Sequence, residues 1–324
     1  MKVAMLEVSH WHAELIRPGV EAAGAAIVAV SDASLAATAP WVERFGCSAY
    51  ADWRQLLDKE RPDFAFAFGI HRAMPAIAAA LVEKRIPFSL EKPGGLKAAD
   101  VAAVRKAQEK AGLFASVHLV NRVSPLVALL RERLASGALG PIAHMTFSDL
   151  AGSPDRYPRA GCGWMLDPQA AGGGCLINLS VHFVDLFRHL AGVEAPRVTG
   201  AVVSSRVHGR AVEDMARVLM DDGAGGRSCF MEVGYVHPDD AQRHQEYAIV
   251  GAGWLAEIAE GRCRIVSNGR EEVLALPIVA SPFYATYAQE TLARAARGRA
   301  PLAGLADLEA VMRVIDAAYA AAGR

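Results

Sequence analysis

Asn178, His182 and Asp185 recur at spacings of four and three residues, which puts all three on one face of a helix. Leu179, Phe183, Leu186, Phe187 and Leu190 form a second, apolar stripe suited to packing. Gly172-Gly173-Gly174 opens the stretch. A polar stripe beside an apolar one, entered through glycine, could hold a reactive histidine against a substrate. A core helix whose His182 is simply satisfied by a hydrogen bond fits the same residues equally well.

A second group of reactive side chains sits where apolar runs end. Glu91-Lys92-Pro93 follows the run Ile86 to Leu90. A lysine at a strand end in a cleft can have its pKa lowered for proton work or hold a substrate hydroxyl; a solvated surface turn is the plainer reading. His10-Trp11-His12 sets two imidazoles at i and i+2, a spacing that could ligate zinc with His71, His118 or Asp32. None of those spacings is diagnostic, so no bound metal is expected, and the histidines are read as pocket lining or, for His12, as the start of a helix.

The first strand–helix junction is where G-x-G-x-x-G would mark a dinucleotide turn. It reads Glu7-Val8-Ser9-His10-Trp11-His12. Ser9 is small enough to stand in for the second glycine. Glu7 brings charge where the first would stand, which counts against dinucleotide binding, although a helix N-terminus can still receive an anion. Asp32 ends the second apolar run. A carboxylate there can accept from both ribose hydroxyls of NAD and would repel the 2′-phosphate of NADP; it can equally cap the next helix.

These residues need elements to position them. Apolar runs at 2–8, 26–30, 63–68, 87–90 and 114–119 alternate with helical spacing at 12–23, 34–45, 74–84 and 98–111, with a short helix starting near Asp52. That alternation predicts parallel βαβ units in a doubly wound sheet, with ligands beyond the carboxyl ends of the strands. After about Pro125 the texture changes. A helix to Leu134, a strand over 142–150 and a polar loop over 151–171 lead into the 172–190 helix. Seven strand-like segments follow between 196 and 276, then helices near 282–297 and 304–321. This half reads as α+β with a largely antiparallel sheet. The whole is an α/β chain with units at 1–120 and 121–324.

The totals bound the rest. The 324 residues are 52% hydrophobic and 21% charged, enough to bury a sizeable core and to argue against disorder. A net charge of −1 leaves no basic excess for nucleic acid. Five cysteines without a CxxC pair fit free thiols in a reducing cytoplasm. No apolar run reaches the length of a membrane span. The expectation is a soluble cytoplasmic protein.

Taken together, the 3–8 strand, Val28-Ala29-Val30-Ser31-Asp32, Glu91-Lys92-Pro93, the 117–122 strand and exit, Gly172-Gly173-Gly174 and His182-x-x-Asp185 resemble the glucose-fructose oxidoreductase / inositol dehydrogenase / rhizopine catabolism (Gfo/Idh/MocA) family over nearly the whole chain. The resemblance implies an N-terminal Rossmann domain, a C-terminal domain whose open sheet makes homodimers or homotetramers, and an NAD(P)-dependent dehydrogenase, with NAD ahead of NADP. It implies that His182 takes the proton of a sugar or polyol hydroxyl, with Lys92 assisting and Asn178 in the catalytic set, where many members have Asp. Ser9, His10, Trp11, Asp32, His71, Glu91 and Lys92 would lie along the cofactor. Asn121, Arg122, Arg159, Trp164 and His182 would face the substrate, with Arg156 and Tyr157 in the same wall. Met74 stands where a helix-start histidine is common. Two other readings stay open: an NAD-dependent glycoside hydrolase of the same fold, and a non-catalytic relative that has lost the cofactor.

Overall fold

The computed structural model describes residues 1–277 and 280–324. The first half runs β1 (Lys2–Leu6), α1 (His12–Ala22), β2 (Ala26–Ser31), α2 (Leu35–Phe45), β3 (Ser48–Tyr50), α3 (Trp53–Glu60), β4 (Phe64–Ala67), α4 (Met74–Glu83), β5 (Phe88–Leu90), α5 (Ala98–Ala111) and β6 (Ala115–Val117). All six strands are parallel, in the order β3-β2-β1-β4-β5-β6. This is the Rossmann arrangement. Connectivity reverses between β1 and β4, so a crevice opens beyond the carboxyl ends of those two strands. Strands β4, β5 and β6 are buried throughout, as short apolar runs in a sheet covered on both faces should be. β3 has no such run. It is a three-residue edge strand, largely exposed, and for that reason escapes a reading by apolar pattern.

The second half runs α6 (Pro125–Ala135), β7 (Ile142–Gly152), α7 (Arg156–Arg159), α8 (Pro168–Ala171), α9 (Cys175–Ala191), β8 (Arg197–Ser204), β9 (Met215–Asp221), β10 (Ser228–His237), β11 (Arg243–Gly251), β12 (Trp254–Ala259), β13 (Arg262–Ser267), β14 (Arg270–Ala275), α10 (Phe283–Ala296) and α11 (Leu305–Ala321). Its eight strands form one sheet, β14-β13-β12-β11-β7-β10-β9-β8. Only the β7–β10 pair is parallel; the other pairings are antiparallel. α9 lies on one face of β7 and β10, where Phe183 stacks on Phe147 at 5.0 Å. Residues 168–191 are apolar and long enough to cross a membrane by composition, yet 89% of the most apolar 18-residue window within them is buried inside the protein.

The start of α9 explains the glycine triplet. Glu213 Oε1 accepts from the amides of Gly174 at 2.7 Å and Leu176 at 3.0 Å, and from the Tyr319 hydroxyl at 2.7 Å. A carboxylate there satisfies amides that the helix itself cannot. A Cβ on Gly174 would fall 2.1 Å from the Glu213 carbonyl oxygen, and one on Gly173 would fall 1.9 Å from the Tyr319 hydroxyl. The glycines let Glu213 and α11 approach; they do not make a ligand loop.

The last two helices return to the parallel sheet. α11 packs on α5 and α9, and α10 on α1, so closely that a Cβ on Gly19 would sit 2.0 Å from the Ala285 carbonyl oxygen. Tyr284 and Tyr287 of α10 share a buried cluster with Val3, Met5, Phe64 and Phe66.

Candidate active site

β5 delivers Glu91 and Lys92 to the crevice, and α9 brings Asn178 and His182 to meet them. The buried Lys92 ammonium donates to Asn178 Oδ1 at 2.7 Å and to the Asn178 carbonyl oxygen at 2.8 Å. The Asn178 amide nitrogen donates to the hydroxyls of Tyr157 and Tyr235, each at 2.8 Å. That network uses the two ends of the amide for opposite tasks, which a carboxylate cannot do. Two of the three ammonium donors are spent on Asn178, leaving one for a ligand.

His182 lies one turn beyond Asn178, and its ring lines a cavity of about 290 Å³ together with Lys92, Asn121, Tyr157, Arg243 and Tyr284. Among the described residues, His182 Nδ1 is buried without a hydrogen-bond partner. Burial, reinforced by the Lys92 charge, holds its pKa well below the usual value, so the ring is a neutral base at neutral pH. Burial also lowers Lys92 to about 8, against the opposing pull of Glu91. Asp149 and Arg243, from β7 and β11, pair at 2.6 Å on the cavity wall. Tyr235, Arg243 and Tyr284 come from strands and a helix far along the chain with no motif around them, and sequence reasoning missed them.

Glu91 is 1% exposed. His118 Nδ1 donates to its Oε2 at 2.8 Å, and His12 Nδ1 stands 3.0 Å from its Oε1. Burial alone would raise this carboxyl; His12 and His118 outweigh it and keep the group ionised.

Several expected site residues are placed elsewhere. Arg122 is not on the cavity. It makes a two-pronged pair with Asp185 at 2.6 and 2.9 Å and reaches Asp307, because Asp185 faces it from the same helical stripe that carries His182. Arg159 is exposed and pairs with Asp240. Trp164 stands edge-on to His71 at 4.9 Å and packs rather than lining the cavity. His71 donates through Nδ1 to the Ala171 carbonyl at 2.8 Å and is 1% exposed. Asn121 does line the cavity.

The glycine-poor turn keeps the backbone of a nucleotide site and changes its lining. Glu7 holds φ at +62°, the left-handed conformation that glycine favours. Its Oε1 accepts from Ser31 Oγ at 3.3 Å and its Cγ lies 3.5 Å from where a Gly69 Cβ would be, so the side chain sits by the carboxyl ends of β2 and β4. Asp32 accepts from the amides of Ser9 at 2.7 Å and Ser34 at 2.9 Å and is 3% exposed; the bond to Ser34 is an Asx-turn that leads into α2, and each oxygen keeps acceptor capacity. Cys162 donates to the Ser9 carbonyl at 3.6 Å, and His10 stacks on Trp11 at 4.0 Å. Ser9, His10 and Asp32 do not line the cavity. The residues therefore suit the nicotinamide end of a dinucleotide, beside Lys92 and His182.

Two family models cover most of the chain. The model described as the oxidoreductase family, NAD-binding Rossmann fold, matches residues 1–119, and the GFO/IDH/MocA C-terminal domain matches residues 127–254. The chain belongs to the Gfo/Idh/MocA family of oxidoreductases. Its first half is thus that family's NAD-binding Rossmann domain. Among curated Gfo/Idh/MocA relatives, trans-1,2-dihydrobenzene-1,2-diol dehydrogenase of Mus musculus is 23% identical over 92% of this chain and 89% of its own. Levoglucosan dehydrogenase of Pseudarthrobacter phenanthrenivorans is 30% identical over 51% of this chain and 42% of its own. Levoglucosan dehydrogenase in complex with NADH and levoglucosan shares the fold, with a TM-score of 0.88 at 18% identity over 100% and 97% of the two chains. The aldose-aldose oxidoreductase of Caulobacter crescentus, complexed with glycerol, gives 0.82 at 21% identity over 100% and 98%.

Proposed function

We propose that this oxidoreductase interconverts a secondary alcohol and a ketone on a sugar or polyol. His182 exchanges the hydroxyl proton, and Lys92 donates its remaining N–H to the same oxygen. The observation that carries this reading is the Lys92 ammonium, held by two acceptors on Asn178 one helical turn from the unpartnered His182. NAD, the family's cofactor, takes or gives the hydride when bound. A neutral His182 can accept the proton as the hydroxyl is oxidised, and Lys92 stabilises the charge that develops on oxygen. Arg243 and Asn121 offer further polar groups to a hydroxylated substrate. Levoglucosan and glycerol in the related complexes support this substrate class.

The test is NADH formation by purified protein across a panel of sugars and polyols, for the wild type and for His182→Ala. Formation of NADH with no tested alcohol would count against the reading if NAD binding had been shown by tryptophan fluorescence. The Glu7 carboxyl in place of a turn glycine favours a second reading, a relative that works without the nucleotide; absence of NAD binding at millimolar cofactor would select it. We infer also that the sheet face turned away from α9 pairs copies of the chain. Val202, Leu219 and Val273 are exposed on β8, β9 and β14, and the strand registers put all three on one face.

A further inference from the structure

His12 stands where the third glycine of a dinucleotide turn would be, His10 lies two residues before it, and proton chemistry at Lys92 and His182 accounts for neither. His10, His12 and Glu91 are all buried, and each offers one ligand atom within 4.8 Å of the others. The contact between His12 Nδ1 and Glu91 Oε1 is 3.0 Å, yet among the described residues that oxygen has no aligned hydrogen-bond donor. A buried carboxylate oxygen 3.0 Å from an imidazole nitrogen, yet off the line of any N–H, needs an explanation. Two donor atoms facing one ion explain it.

We propose that His10, His12 and Glu91 bind a divalent transition metal of the zinc type at the floor of the cavity. Two imidazoles and one carboxylate are the donor number and kind of a zinc site that keeps a position open. The hard-cation alternatives, magnesium and calcium, prefer all-oxygen shells. The surrounding groups match what orients such ligands. His118 fixes the other Glu91 oxygen at 2.8 Å, and the Tyr284 hydroxyl stands 3.2 Å from His12 Nε2, the ring nitrogen turned away from Glu91. His12 and Lys92 both line the cavity, so the open position faces the space assigned to the substrate hydroxyl. Ligation through His10 Nδ1 displaces one long contact, the 3.2 Å bond from the His12 amide. The metal site does not depend on the dehydrogenase reading, and the two fail separately.

The experiment is metal analysis of protein purified without chelator, followed by cobalt titration of the stripped protein, read by visible d–d absorption. The expected result is one metal per chain and cobalt bands of a four- or five-coordinate site, abolished by His10→Ala and by Glu91→Gln. His118→Ala, which leaves the ligands in place, should weaken cobalt binding by about 10- to 100-fold. Circular dichroism checks that each variant is folded; should Glu91→Gln unfold, His10→Ala and His12→Asn decide. Substoichiometric metal with no cobalt bands overturns the proposal, as do bands that survive in His10→Ala. Parallel NAD titration of the stripped protein tests cofactor binding independently.

Discussion

Lys92 and Asn178 are joined twice, once through the side-chain oxygen and once through the main-chain carbonyl, and the amide nitrogen of Asn178 holds two tyrosine hydroxyls. The second junction survives any substitution at 178; the first responds to it. Lys92 loses its proton near 8, whereas His182 stays neutral far into the acid range. Turnover should therefore be flat through neutral pH and fall as pH rises through about 8, where the ammonium is lost. Asn178→Asp puts a carboxylate beside the ammonium and should move that alkaline limb upward by ~1 unit or more. A pH profile of kcat for the two proteins checks this; superimposable limbs would remove Lys92 from the proton chemistry.

His182→Ala should lower kcat by about 10²- to 10⁴-fold, the usual range for a positioned general base, while NAD affinity stays within twofold. Stopped-flow turnover and fluorescence titration give the two numbers. Equal losses in both would mean that the ring holds the cavity open and moves no proton.

Arg122 offers the contrasting case. Its removal leaves Asp185, 1% exposed, without its ion-pair partner. Breaking a buried pair from one side costs about 3–5 kcal/mol, so Arg122→Ala should lose that much in denaturant melts. Arg122→Lys should recover only part of it, because an ammonium cannot make the two-pronged contact. Where the variant remains folded, its KM should match the wild type, in contrast to a substrate-contacting arginine.

Glu7 ties stability to pH. Burial, and secondarily the charge of Asp32, push its carboxyl up from 4.5 to about 7. Between those values the folded chain holds this proton more tightly than the unfolded chain. Stability therefore falls as pH rises across that window, and the loss is complete above about 7. Glu7→Gln should abolish that slope and add on the order of 1–3 kcal/mol above neutral pH. Glu7→Gly keeps the φ of +62° without strain and clears the crevice, so it should also tighten NAD binding. Thermal melts at acid and alkaline pH, with NAD titrations of each variant, measure both effects.

The open sheet face should make the protein dimeric or tetrameric in light scattering. Leu219→Lys, which places a charge on an exposed apolar position of that face on β9, should shift the mass toward the monomer with little change in melting temperature.

How much of this was legible in the sequence depended on how local each feature was. The parallel strands announced themselves because residues buried on both faces must be apolar throughout. Lys92 and His182 stood out because a strand end and a helical stripe constrain their neighbours. Asp32 was open to a ribose and to the start of the next helix; its bond to the Ser34 amide follows from local spacing, while the Ser9 amide reaches it only through tertiary packing. Trp164 and Arg159 belong to the long 151–171 loop, where side-chain direction depends on what lies across the gap, here His71 and Asp240. Asp149, Arg243, Tyr235 and Tyr284 meet only through tertiary packing.

The hydroxyl of Tyr284 touches His12 across 272 positions of sequence, and α10 lies directly on α1. The turn after β1 thus waits for α10 before the site is whole. The parallel sheet exposes the apolar side that α10 covers until then, so the nascent chain carries a sticky, unfinished surface until α10 is made. A chain terminated shortly before residue 283 should accumulate in inclusion bodies or on chaperones, even though both sheets are encoded in full.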